Sequence, residues 1–178
     1  MHKVHVLEHF LSLYPKLPFE LQTDRFNSTK YQTTLLHEAA EWNDLPSASL
    51  LISLGARINE RDQDNATPLV FAISVEMARL LFGAGADLNS RNSDNQHVLH
   101  IAASKGLSDL VHFYLEHGVN VRARDRFGYS TLHWSVSPST NDTPTLHAVL
   151  SFVKPRCSGE EFLSFVNERD NVRNIFYV

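Results

Sequence analysis

The sequence predicts an all-α fold, a solenoid of stacked helix-turn-helix units joined by hairpin turns, and three observations predict it. Four segments of similar wording recur: TLLHEAA from Thr34, TPLVFAI from Thr67, HVLHIAA from His97 and STLHWSV from Ser130, with starts 33, 30 and 33 residues apart. In the first three, a second apolar stretch follows and closes on Gly55, Gly85 or Gly118. A polar turn comes next, with Asp62, Asn92 and Asp125 at equivalent places. A period of about 20–50 residues marks a repeat array, because one helix pair cannot bury its apolar faces alone and must stack on its neighbours.

Each place in the period has a physical reason. Thr34, Thr67 and Ser130 stand where a helix begins, and their hydroxyls can cap its free backbone N–H groups. Pro68 takes the first helical position, where a missing N–H does no harm. Leu36, Leu69, Leu99 and Leu132 are the inward anchors, and the small pairs Ala39-Ala40 and Ala102-Ala103 let the second helix approach. That helix is carried by Leu50, Leu51 and Ile52 in one unit and by Leu110, Val111, Phe113 and Leu115 in another. The glycines close it where a left-handed residue is wanted.

These residues resemble the ankyrin-repeat family, whose period is about 33 and whose signature is T-P-L-H-x-A. The resemblance covers 31 to about 136 closely and 137–178 loosely. It places repeats at 31–63, 64–93, 94–126 and 127–171, with a truncated end at 172–178. It also implies that His37, His100 and His133, one motif place, hydrogen-bond neighbouring turns; the second repeat has Val70 there. Asn59, Asn89 and Asn167 occupy a place that is hydroxylated in some family members, the alternative being a turn-stabilising asparagine.

Departures from the pattern carry structural expectations. The second repeat lacks three residues between Ile73 and Glu76, so its helices must be shorter or joined more tightly. The fourth repeat has Ser135-Val136 for the alanine pair, then SPSTNDTP, a loop-forming stretch. A helix is expected over 145–153, after which KPRCSGEE breaks the pattern. VNERD from Val166 echoes INERD from Ile58, which makes the fourth unit twelve residues too long. Residues 1–30 are read as a capping helix and a link. Val4, Leu7, Leu11 and Tyr14 share one face at helical spacing, as a cover for the open end of a stack requires.

Composition narrows the function. With 43% hydrophobic and 20% charged residues the chain is not of disordered composition, and a net charge of -4 disfavours a nucleic-acid or membrane-surface binder. Cys157 is the one cysteine, which excludes an internal disulfide and fits a reducing, cytoplasmic setting, or a host cytosol if the chain is a secreted effector. No apolar run approaches the ~18 residues of a membrane span.

Three motifs invite chemistry. His5-Val6-Leu7-Glu8-His9 matches H-x-x-E-H, but a metalloprotease also needs a third ligand and a closed cleft; solvent-facing residues of a capping helix explain it. Cys157 has Lys154 and Arg156 beside it, but nothing nominates a partner histidine. Gly83-Ala84-Gly85 ends a helix, so it is not a phosphate loop. The expectation is therefore no catalytic residue, no cofactor and no metal.

Function is then expected from surface. The resemblance implies that a protein partner meets the hairpin tips, here 61–66, 91–96 and 124–129, and the exposed face of each first helix. The anchor candidates are Trp42, Glu41, Arg61, Arg91, Lys105, Arg124, Phe127, Tyr129 and Trp134, because aromatic and Arg side chains supply most interface energy. Trp42 and Trp134 have packing as the alternative, and the arginines have pairing with Asp62, Asp94 and Asp125. The reading is a monomeric protein-binding module. One rival is the recognition portion of a larger enzyme or bacterial effector, suggested by an end inside a fifth repeat at Ile175, Phe176 and Tyr177. The other is a small hydrolase using His5, Glu8 and His9 or Cys157.

Overall fold

A computed structural model of the chain describes residues 33–136 and 143–169. The capping helix and link expected over 1–30, the His5/Glu8/His9 motif and the end at 172–178 lie outside the described residues. Among those described there are eight α-helices, two 3-10 turns and no strand. They fall into two compact units, divided between Asp87 and Leu88.

The first unit holds α1 (Leu35–Glu41), α2 (Leu45–Ser53), a 3-10 turn (Pro68–Phe71) and α3 (Val75–Gly83). α1 packs on α2 and on the 3-10 turn, and α2 packs on α3, so like elements of successive repeats lie side by side. The second unit holds α4 (Val98–Ser104), α5 (Ser108–Glu116), α6 (Thr131–Ser135), α7 (Thr143–Val153), a 3-10 turn (Lys154–Arg156) and α8 (Gly159–Val166). There α4 packs on α6 and α5 on α7.

The four expected starts all open a helical element. Thr34, Thr67, His97 and Ser130 are N-caps with extended ψ values of 166°, 161°, -179° and 172°. The capping itself is more elaborate than a hydroxyl on a backbone amide. At Thr34 and Ser130 a reciprocal box forms, in which His37 or His133 Nδ1 accepts the cap residue's own N–H at 3.1 and 3.2 Å. The anchors Leu36, Leu69, Leu99 and Leu132 are all at most 2% exposed. Ser135 substitutes for alanine because its hydroxyl donates back to the Leu132 carbonyl at 2.8 Å and so stays satisfied while buried.

The short second repeat loses most of its first helix. Only Pro68–Phe71 remains, Ala72 is extended, and Ser74 at once caps α3, accepting from Met77 N–H at 3.1 Å. The Ser74 hydroxyl also donates to Asn43 Oδ1 at 2.6 Å, tying the shortened turn to the α1–α2 corner.

Gly55, Gly85 and Gly118 have φ of +86°, +96° and +79°, as the closing role requires. A Cβ at Gly85 would meet no atom within 4 Å, so only the backbone opposes a side chain there. Gly85→Ala is accordingly expected to cost about 1–2 kcal/mol in a urea titration, with no cavity or clash component.

α7 begins two residues earlier than the 145 expected, and the stretch beyond it that breaks the pattern carries a further helix. After the 3-10 turn and Cys157, Ser158 caps α8, and its amide donates to Glu161 Oε2 at 2.7 Å. That bond holds the Glu161 carboxyl below its ordinary range. The insertion is thus an added helix, seated by Phe165, which is fully buried.

Candidate functional site

The hairpin turns are rigid, and their polar residues explain why. Asp62, Asn92 and Asp125 each accept two backbone amides with one oxygen, those two and four residues ahead, at 2.8–3.0 Å. Asn65, Asn95 and Gly128 follow in the left-handed region, with φ of +61°, +59° and +82°. A carboxylate or amide so used is a backbone organiser.

The motif-place arginines close the same turns. Arg61, Arg91 and Arg124 donate to the carbonyl four residues on, at Asn65 (2.8 Å), Asn95 (2.7 Å) and Gly128. Two of them also reach the corresponding arginine of the next turn: Arg91 donates to the Arg124 carbonyl at 3.3 Å, and Arg124 to the Arg169 carbonyl at 2.8 Å. The VNERD echo is therefore structural, since Arg169 stands to Arg124 as Arg124 stands to Arg91. Arg124 further meets Glu168 at 3.4 Å, while Arg122 meets it at 2.6 Å and lies 4.9 Å over the Phe165 ring. Of the aspartates expected as their ion partners, Asp94 pairs with Arg126 at 2.7 Å.

His37 and His100 act as the resemblance implies, while for His133 the bonds seen are those to its own cap residue, Ser130. His37 Nε2 donates to the Ala66 carbonyl at 3.1 Å and His100 Nε2 to the Ala123 carbonyl at 3.0 Å, the tautomer being fixed because each Nδ1 already accepts a backbone N–H. His97, standing where its neighbours have a hydroxyl, accepts from Leu99 N–H with Nδ1 and donates to the Asn120 carbonyl with Nε2. Burial lowers His37, His97 and His100: His97 falls to about 3, helped by His100 and Arg91, and His100 to about 4. Asn59 ties the first hairpin to the end of α3, donating to the Gly85 carbonyl and accepting from Asp87 N–H.

The remaining anchor candidates are placed as follows. In the first unit Glu41 is exposed and Trp42 caps α1 at 69% exposure, its indole N–H 3.4 Å from Glu38. In the second unit Lys105 is exposed at the same motif place after α4. Phe127 is 45% exposed on its hairpin. Tyr129 and Trp134 are half-buried, with ring centroids 5.8 Å apart, and Tyr129 stacks on His133. Trp134 donates to Asp125 Oδ2 at 3.0 Å, so its indole is held against the turn. Sequence reasoning did not single out Arg126, whose guanidinium lies 4.6 Å over the Phe127 ring and whose amide donates to Asp94. Its adjacency to an exposed aromatic was the available signal.

Among the described residues no group of three or more His, Cys, Asp or Glu is arranged to hold a metal ion, and no helix is long and apolar enough to cross a membrane. Cys157 donates to the Val153 carbonyl at 3.2 Å.

Paired helices laid like on like and joined by hydrogen-bonded polar turns define a helical repeat protein. A family model of ankyrin repeats (3 copies) matches residues 10–92, and a second model of ankyrin repeats (many copies) matches 80–133. The chain belongs to the ankyrin-repeat family, whose members are generally protein-interaction modules. Human Rabankyrin-5 is 34% identical over 104 residues, which is 58% of this chain and 7% of that protein. The chain thus spans a small fraction of the relative's length.

Proposed function

We propose that the chain docks a protein partner, as a monomer and without a catalytic step, through two exposed clusters. One is Glu41 and Trp42 at the end of α1; the other is Phe127 with Arg126, flanked by Tyr129, on the second unit's hairpin. The observation that carries this reading is the exposure of Phe127, 45%, on a turn whose backbone is fixed by Asp125 and Arg124. An aromatic anchor on a rigid support loses little conformational freedom on binding, so more of its contact energy is retained. Arg61, Arg91 and Arg124 contribute mainly by holding the turns, and Lys105 supplies charge at the rim. The partner is a protein in the cytoplasm, or in a host cytosol; the net charge of -4 argues against nucleic acid or an anionic membrane.

Affinity capture with Trp42→Ala and Phe127→Ala tests it. Each variant should keep its helical content and lose a captured partner at least about tenfold in affinity, since a central aromatic contributes about 2 kcal/mol or more. Retention of every partner by both variants counts against these faces. The rival, a recognition portion of a larger enzyme or effector, is favoured by the great length of the relative beyond its matched part. A stop codon directly after Val178 would count against it.

A further inference from the structure

One half of the chain carries its whole net charge. Residues 1–87 hold seven Lys and Arg against eleven Asp and Glu, whereas 88–178 hold nine of each. Of the bases among 33–87, Arg57 pairs with Glu60 at 3.4 Å, Arg61 closes its turn on the Asn65 carbonyl, and none stands on α1 or α2. α1 carries Glu38 and Glu41, and Trp42 caps its end. The Glu38 carboxylate is fixed by two donors, the Thr33 hydroxyl at 2.7 Å on Oε1 and the Trp42 indole N–H at 3.4 Å on Oε2. The indole is thereby oriented beside one carboxylate and stands next in sequence to a second, that of the exposed Glu41, while Trp42 stays 69% open to solvent.

We infer that the Trp42 cluster takes a cationic segment of the partner, an Arg or Lys side chain laid on the indole face with its charge toward Glu38 and Glu41. The inference rests on the docking reading and names the partner's chemistry at its first cluster. Charge complementarity selects this occupant. An indole face attracts a cation through its quadrupole, and two carboxylates within a turn of it oppose an acidic segment. A neutral apolar side chain would cover the same face but gain nothing from the carboxylates. Arginine fits better than lysine, since its planar guanidinium stacks on an aromatic ring while its edge donates to a carboxylate. Because Glu38 already holds the ring in place, little orientational freedom is lost on contact. The acidic surplus of residues 1–87 extends the attraction to a distance, so association should slow as salt rises.

The indole N–H resonances read the contact: the chain has two tryptophans, and a Trp42→Phe variant assigns the pair. The probes are N-acetyl-arginine amide and N-acetyl-lysine amide, with the citrulline and norleucine amides as their neutral counterparts. In the full chain the two cationic probes should shift the Trp42 signal. They should leave in place that of Trp134, whose indole is spent on Asp125. Glu41→Gln should weaken binding of the arginine probe about two- to fivefold, the scale of one exposed charge pair, and added salt should weaken it further. Shifts no larger than those from the neutral counterparts, or binding unchanged in Glu41→Gln, overturn the inference. In the capture experiment Glu41→Lys should lose the partner as Trp42→Ala does. Loss with Trp42→Ala but full retention with Glu41→Lys overturns the inference and leaves the docking reading standing. Retention with Trp42→Ala removes the docking reading at this cluster, and the inference with it.

Discussion

Acidification from pH 7 to pH 5 should remove about 4 kcal/mol from the stability of the second unit, and His97→Thr should recover about half of that loss. The cause is a buried pair. His97 and His100 are at most 1% exposed, their rings lie 4.3 Å apart, and burial holds them down to about 3 and about 4 against an ordinary 6.5. Both are neutral in the fold across the window in which an unfolded chain protonates them. The unfolded state therefore binds more protons below pH 6.5, and stability falls as the pH drops. The contribution is complete above about pH 6.5 and is lost on the way down through the folded values. Each histidine costs up to about 1.4 kcal/mol per pH unit in that interval, against a total of about 5–15 kcal/mol for an ordinary domain. Threonine is the residue that two of the other three repeats place at this cap, so His97→Thr should stay within about 1 kcal/mol of the parent at pH 7. Urea titrations at pH 7 and pH 5 check it. A midpoint that does not move with pH, or moves equally in the variant, would contradict the account.

Phe165→Ala should cost the second unit about 3–5 kcal/mol, the range for deleting a buried aromatic ring. Phe165 is fully buried in α8, and Arg122 lies across its ring while holding Glu168 at 2.6 Å. Truncation leaves a cavity and removes the surface on which Arg122 is stacked, so α8 should be the first element to lose hydrogen-exchange protection. A loss below about 1 kcal/mol, the scale of a surface substitution, would mean that α8 is an appendage that the unit does not need.

The repeat period carried most of the fold, because the features that set it are chemically specific. An N-cap, a small pair and a left-handed glycine each admit few residues, so Thr34, Ala39-Ala40 and Gly55 are legible one by one. Helix α8 was less so, although its start was written in the chain. Ser158-Gly-Glu-Glu161 before FLSFV is a capping box ahead of an apolar run. The deviation from the period masked it, since residues that break one pattern are easily read as having none. Asn65 and Asn95 were passed over for a related reason. They do the work of Gly128 in the left-handed region, which asparagine tolerates better than other side chains do.

Surface function was less legible because it depends on where spare hydrogen-bonding capacity goes. Arg61, Arg91 and Arg124 look like a cationic ridge in sequence, yet their guanidinium groups close turns through carbonyl oxygens four residues ahead. Trp134 likewise spends its indole N–H on Asp125, whereas Trp42 presents most of its surface outward. Residue type alone could not separate these two tryptophans, because the difference lies in the neighbouring turn.

The central claim, that this chain works by docking a protein on first-helix ends and hairpin tips, is tested most directly by hydrogen exchange on the complex with a captured partner. The account predicts slowed exchange at the amides of 41–43 and 126–129, with those of α2, α5 and α7 unchanged. Protection confined to those second helices, with Trp42 and Phe127 exchanging as in the free chain, would contradict it.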